Sequence, residues 1–164
     1  MDQARIEQDV LAAVEATGEP FEVIEIDPAL ADTADFCAHY GYPLEASANC
    51  IVVASKDEVP QLAACLALAT TKLDANKRVR KLLGVRKLSF APAELTREAT
   101  GMEIGGVTPF GLPESLERRW ADARIADLDR VIVGGGSRAL KLWVAPAALQ
   151  AVGFEFVEDL AVDL

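Results

Sequence analysis

Thr100-Gly101-Met102-Glu103-Ile104-Gly105-Gly106-Val107-Thr108-Pro109-Phe110-Gly111-Leu112-Pro113 holds four glycines and two prolines in fourteen residues. Glycine reaches backbone angles that other residues avoid, and proline freezes φ. The stretch therefore reads as a fixed loop rather than slack chain. A Gly-Gly pair also lets a ligand approach bare main-chain N–H groups. Such groups hold a carboxylate, a phosphate or a developing oxyanion.

Two other segments accompany the loop. Upstream, Leu73-Asp74 is followed by Lys77 and by Leu82-Leu83-Gly84-Val85-Arg86-Lys87. Downstream runs Val133-Gly134-Gly135-Gly136-Ser137-Arg138-Ala139-Leu140. In order and spacing, the three segments resemble the YbaK/ProX family, the trans-editing aminoacyl-tRNA deacylases related to the insertion domain of bacterial prolyl-tRNA synthetase. The family's Gly-x-x-x-Pro loop reads here Gly105-Gly106-Val107-Thr108-Pro109.

Composition sets the outer limits. The chain has 164 residues, 51% hydrophobic and 26% charged. That suits one globular domain, residues 1–164, with a real core. No apolar run reaches the roughly 20 residues that cross a bilayer. Met1-Asp2-Gln3-Ala4-Arg5 lacks a signal-peptide pattern. Cys37, Cys50 and Cys65 are widely spaced and odd in number, which reads as reduced thiols in a cytoplasmic protein. With one histidine and no close cysteine pair, no structural zinc site is expected.

The net charge is −10, but it is unevenly placed. Residues 72–88 carry Lys72, Lys77, Arg78, Arg80, Lys81, Arg86 and Lys87 against Asp74 alone, a net of +6; the remainder is −16. A concentrated basic patch on an acidic body can meet a phosphate backbone. A solvated helix face is the plain alternative. The resemblance favours a tRNA-facing patch at Lys77, Arg78, Arg80 and Lys81.

Periodicity predicts the elements. Ile6, Val10, Leu11 and Val14 place a helix over 3–16. Strands are expected at 21–26, 49–55, 86–90, 116–120, 130–133, 140–144 and, last, 154–157. Asp32 or Thr33 starts a helix ending at Gly41. Asp74 is expected to cap a helix through Leu83, closed by Gly84. A further helix follows Pro92 and ends at Gly101, and Pro146 opens a short one. Residues 61–69 are rich in Ala and Leu, which favours helix; the resemblance implies a strand. Without a strict βαβ alternation, the fold class is α+β, a mixed and largely antiparallel sheet with surrounding helices. The resemblance implies that the sheet is curled and barrel-like around a small pocket.

Ester hydrolysis needs water to attack a carbonyl and donors already set for the oxyanion. Main-chain N–H groups at Gly105 and Gly106, fixed by Pro109, can supply them without an acidic or basic side chain. Val107 and Thr108 belong to the same substrate-binding loop. Many family members carry a lysine opening the strand expected at 49–55, where it contacts the terminal nucleotide. Its place here falls to Asn49, which can donate a hydrogen bond but carries no charge. Lys141 is a candidate substitute, with an exposed strand lysine as its plain reading. Cys50 reads as a buried strand cysteine that lines the pocket; a nucleophile would need a basic neighbour. Cys37 and Cys65 read as core, and His39, on a predicted helix, as a structural or surface residue. Gly135 lies in a tight turn, and Arg138 after it can meet a phosphate or ribose. Asp122 matches a family aspartate whose role is structural or functional.

The resemblance thus implies an aminoacyl-tRNA deacylase that edits mischarged tRNA in trans and needs no metal or redox cofactor. Aminoacyl-tRNA is the expected partner, with a synthetase and a second copy of the chain as open additions. The alternative is a catalytically degenerate binding module of the same fold, recognising an aminoacyl or nucleotide group. A third reading is a deacylase of another small ester.

Overall fold

The computed structural model describes residues 3–164; Met1 and Asp2, part of the expected domain, lie outside the described residues. Among the described residues the α-helices are α1 (Gln3–Ala16), α2 (Thr33–Tyr40), α3 (Arg80–Leu83), α4 (Ala93–Thr100) and α5 (Pro146–Ala151). The strands are β1 (Phe21–Glu25), β2 (Ala48–Ser55), β3 (Leu62–Leu68), β4 (Thr71–Leu73), β5 (Leu88–Phe90), β6 (Arg119–Asp122), β7 (Val131–Gly134), β8 (Leu140–Val144), β9 (Glu155–Val157) and β10 (Ala161–Asp163).

They form three open sheets, ordered β5-β2-β3-β6-β9, β1-β8-β7 and β10-β4. Pairing is antiparallel except at β3–β6 and β6–β9. The mixed, largely antiparallel α+β class is therefore observed. The barrel-like expectation is corrected: no sheet closes on itself among the described residues. Just before β2, Ser47 forms an isolated parallel bridge to Ile132 of β7, and no further ladder joins β2 to β7 among the described residues.

β3 explains how its composition makes a strand. Ala64, Leu66 and Leu68 pack into the main core with α1, α5 and the 102–116 loop. Ala63, Cys65 and Ala67 pack on the other face against Val79, Leu83 and Leu160. Both faces are covered, so the alternating polar signal of a half-buried strand is missing. Small residues on one face let the basic segment lie close.

Several boundaries differ from expectation. The 116–120 strand begins at Arg119, because Leu116 is buried in the core and Arg119 grips the approaching chain. Its guanidinium donates to the carbonyls of Leu116 (2.8 Å), Val152 (2.7 Å), Pro113 (3.0 Å) and Leu112 (3.4 Å). Residues 75–83 split into a π-helical turn, Ala75–Val79, and α3. The Asp74 side chain makes no cap; its carbonyl accepts from Val79 N–H instead. β10 follows the strand expected to be last and pairs with β4. The buried Asp122 carboxylate accepts from Arg124 N–H (3.0 Å) and Ala161 N–H (3.1 Å), which fixes the entry to β10.

The glycine loop is anchored at both ends. Gly101 closes α4 with φ +77, and Met102, Phe110, Leu112 and Leu116 enter the main core. Its middle lies against the turn after β7. Gly136 N–H donates to Gly106 C=O at 2.8 Å. A Cβ on Gly106 would stand 2.7 Å from the Ser137 main chain, and one on Gly134 would stand 2.4 Å from Val107 O. Two stretches of bare backbone are in direct contact, which explains both glycine clusters.

Gly134→Ala tests that contact. Forcing a methyl into this backbone junction should lower unfolding free energy by about 1–3 kcal/mol, as overpacking does elsewhere. Urea denaturation of the variant and the parent measures the difference.

Candidate functional site

A cavity of about 430 Å³ lies where β2 leaves β7. That volume falls within the range of small-molecule sites. Its walls come from five places: Ala31 to Thr33 at the start of α2, Ala48 to Val52 of β2, Phe90 and Ala91 after β5, Thr96 of α4, and the loop with β7 and β8. The last contribute Ile104, Gly105, Val107, Gly134 and Lys141. Small apolar groups dominate, and Lys141 brings a cation.

The expected site residues divide into two sets. Asn49, Cys50, Gly105, Val107 and Lys141 line the cavity together, although more than ninety positions separate the first from the last. Arg138 does not line it, and neither do the four loop and turn residues Gly106, Thr108, Pro109 and Gly135. All four are buried. Gly106 N–H is already donated to Glu103 C=O at 2.9 Å. Gly135 N–H bonds Leu140 C=O at 3.0 Å. Thr108 Oγ1 accepts from Phe110 N–H at 3.4 Å within the loop. By contrast, no protein acceptor takes the amides of Gly105 and Val107 among the described residues.

Lys141 departs from its plain reading as an exposed strand lysine. It is only 6% exposed. On β8, Leu142 and Val144 point to the main core, while Lys141 and Trp143 take the opposite face, under α2. The Lys141 ammonium sits 5.6 Å from the centre of the Phe36 ring. No carboxylate forms an ion pair with it among the described residues. Burial pulls its pKa down, and the Arg138 charge adds to that; Cys37 and Asp32 oppose them. A buried cation facing a cavity without an ion-pair partner is a place for an anion or a polarised carbonyl.

Asn49 lies exposed at the rim, and its Oδ1 accepts from Thr33 Oγ1 at 2.7 Å. Arg138 is tied down from three sides. Its Nη1 is 3.5 Å from Asp32 Oδ1 and donates to Ile104 C=O (3.3 Å), and its Nε donates to Pro28 C=O (3.3 Å). A Cβ on Gly105 would lie 2.1 Å from that Nη1, so a side chain there would push the guanidinium aside, and the φ of +95 itself favours glycine. Arg138 thus joins the loop to the start of α2.

Cys50 lines the cavity on a strand edge. Burial pushes its thiol up to about 12, with the Arg119 charge opposing. The thiolate needed for nucleophilic attack is therefore scarce near neutral pH. His39 is exposed at the end of α2 and lies edge-on to Tyr40. Cys37 and Cys65 are buried in the apolar clusters, as expected.

The basic segment flanks a second groove of about 660 Å³, lined by Lys72, Asp74, Lys77, Phe90 and Val162 among others. Lys77 and Lys81 are exposed. Arg78 and Arg80 each give Nε to a main-chain carbonyl, of Glu158 (3.0 Å) and Asn76 (2.9 Å). Sequence reasoning missed Thr33, Phe90, Thr96 and Ile104 as lining residues. No local pattern marks them, because they reach the cavity from separate elements.

The family model of the aminoacyl-tRNA editing domain matches residues 27–152. The "Uncharacterized protein YwhH" of Bacillus subtilis (strain 168) is 32% identical over 102 residues, 62% of this chain. The match spans 63% of that relative's length. Among solved structures, a candidate trans-editing enzyme for prolyl-tRNA synthetase superposes with a TM-score of 0.79 at 20% identity. It covers 97% of this chain and 98% of its own. The hypothetical protein APE2540 gives a TM-score of 0.81 at 23% identity, over 93% of this chain and 99% of its own. At these identities the structures show a shared fold.

The cysteine environment is testable. The folded-state value of about 12 for Cys50 lies above the ordinary thiol value of 9.0. Keeping the thiol neutral therefore stabilises the fold fully below pH 9, and that contribution is lost as pH rises toward 12. The thermal midpoint should fall across this window, and less steeply in Cys50→Ala. Alkylation followed by mass spectrometry should find Cys50 slow to react below pH 9.

Proposed function

The chain belongs to the aminoacyl-tRNA editing domain family, and on that premise we propose that it hydrolyses the ester of mischarged tRNA in trans. The observation that carries the proposal is Lys141, a buried ammonium facing a small cavity beside a loop with unengaged amides. The ester carbonyl lies between Lys141 and the N–H groups of Gly105 and Val107. As water adds to the carbonyl carbon, charge grows on its oxygen, and these groups stabilise that charge without reorganising. Gly106, Pro109, Thr108 and Gly135 then act as the frame that holds the loop.

Lys141 replaces the charge that the resemblance places at Asn49. It reaches the cavity from β8 rather than β2. Asn49 and Thr33 form a polar rim that accepts or donates hydrogen bonds to the ribose. The apolar walls of Ala31, Ala48, Val52 and Ala91 suit a small uncharged aminoacyl group. Such groups are poorly separated by binding alone, since one methylene is worth about 1–3 kcal/mol, so a second hydrolytic site has a purpose. Arg138 positions the loop. Lys77, Arg78, Arg80 and Lys81 attract the phosphate backbone, and a cytoplasmic setting with a synthetase nearby completes the reading. No helix among the described residues is long and apolar enough to cross a membrane.

A binding module of the same fold is the competing reading, favoured by the neutral Asn49 at the rim. Mischarged tRNAs separate the two. The deacylase should release at least one amino acid well above the uncatalysed rate, and Lys141→Met should lower kcat by on the order of 10²–10³. Binding of aminoacyl-adenosine analogues with no cleavage of any tRNA would select the module. A second measurement addresses the basic segment. Changing Lys77, Arg78, Arg80 and Lys81 to Ala should weaken tRNA binding. It should also flatten the log–log salt dependence by roughly 0.7–0.9 for each phosphate that is no longer neutralised. Unchanged affinity would remove the patch from the interface.

A further inference from the structure

Phe90 is 53% exposed, while Leu88 and Ala91 beside it are each 8% exposed. It ends β5, a three-residue edge strand paired only with β2. Nothing in the fold needs an aromatic ring left half in water at this point, since a smaller residue would keep the strand pairing.

The position of Phe90 gives the ring a use. It lines the 430 Å³ cavity and also the 660 Å³ groove. Among the described residues, it is the one shared by both linings. The ring therefore stands on the threshold between them. On the cavity side, Ile104 is another half-exposed apolar residue, at 54%. On the groove side stand Lys72 and Lys77, both exposed, with no ion pair among the described residues. Asn76, Ser89 and the half-exposed Val162 also line that groove, and among the described residues Asp74 is its single acid.

A flat aromatic face beside two unpaired cations is how proteins hold unpaired nucleotides without reading their sequence. Bases stack on the ring, and phosphates follow the positive groove. An acidic peptide would use the lysines but would leave the ring without a flat partner. We propose that Phe90 is the stacking platform for the terminal base of an unpaired RNA 3′ end, and that the groove behind it carries the preceding phosphates on Lys72 and Lys77. The inference rests on the deacylase reading for what enters the cavity, and it adds the route by which the strand arrives. It also distinguishes two parts of the basic surface. Lys72 and Lys77 follow the single strand, whereas Arg80 and Lys81 lie outside this groove lining and face whatever precedes it.

Fluorescence anisotropy with a short, unacylated, 5′-labelled RNA ending in CCA tests this without any hydrolysis. Phe90→Leu should weaken binding about tenfold, within the range seen when a stacking aromatic is removed. Phe90→Trp should bind as well as the parent or better. Removing the terminal nucleotide from the RNA should abolish the difference between Phe90 and Leu. Lys72→Gln and Lys77→Gln should each reduce the log–log salt slope by roughly 0.7. Equal binding by the parent and Phe90→Leu would overturn the proposal. So would an acidic peptide whose binding depends equally on Phe90. The two readings fail separately: an RNA bound in a Phe90-dependent way but never deacylated removes the enzyme and leaves the platform.

Discussion

The contact on which the site depends is between two pieces of main chain. The Gly105–Val107 segment lies against Gly134–Ser137 so closely that a methyl on Gly106 or Gly134 would strike backbone. One hydrogen bond, Gly136 N–H to Gly106 C=O, fixes their register. Everything at the cavity follows from this closeness. It sets the Gly105 and Val107 amides beside β7 and β8, and it brings Lys141 into the same wall. Side chains larger than hydrogen would separate the two segments and leave the cation without its neighbours.

The cavity itself comes from a parting of sheets. Just before β2, Ser47 bridges Ile132 of β7, and farther along β5 pairs with β2 from Val53, with Ala91 N–H donating to Val52 C=O. Between these points a stretch of β2 has an open edge, and Asn49 to Val52 line the cavity there. The strand is held on its other side by β3 along its whole length, from Ala48–Leu68 to Ala54–Leu62. It can therefore leave one edge open without losing its place. A lining built on strands in this way is stiffer than one built on loops alone.

Much of this was legible in the residues. α1 followed from apolar spacing, α2 from a start at Asp32 or Thr33 and a stop at Gly41, and α4 from Pro92 and Gly101, because those signals are local. The short β4 and β10 were not, since three residues carry no alternation to detect. The shift of β6 was hidden as well: Arg119 reads as an ordinary surface charge until its four carbonyl partners converge on it. Lys141 shows the limit most clearly. Alternation along β8 assigns it to the face opposite the core, and sequence alone makes that face solvent. The covering by α2, with Phe36 over the ammonium, is a tertiary fact. The Gly-x-x-x-Pro loop was recognisable, yet only coordinates divide it into members that line the cavity and members that support it.

The first helix lies upstream of the span matched by the family, which begins at residue 27. Even so, Val10 would be 2.8 Å from a Cβ on Gly136 and 3.4 Å from one on Gly111. Glu7 accepts from Ser137 Oγ at 2.6 Å, and Gln3 bonds Glu103 across the loop. The helix is a splint laid along both glycine turns. A chain trimmed to the matched span would still possess each residue of the cavity wall, but it would lack the brace that keeps them in place.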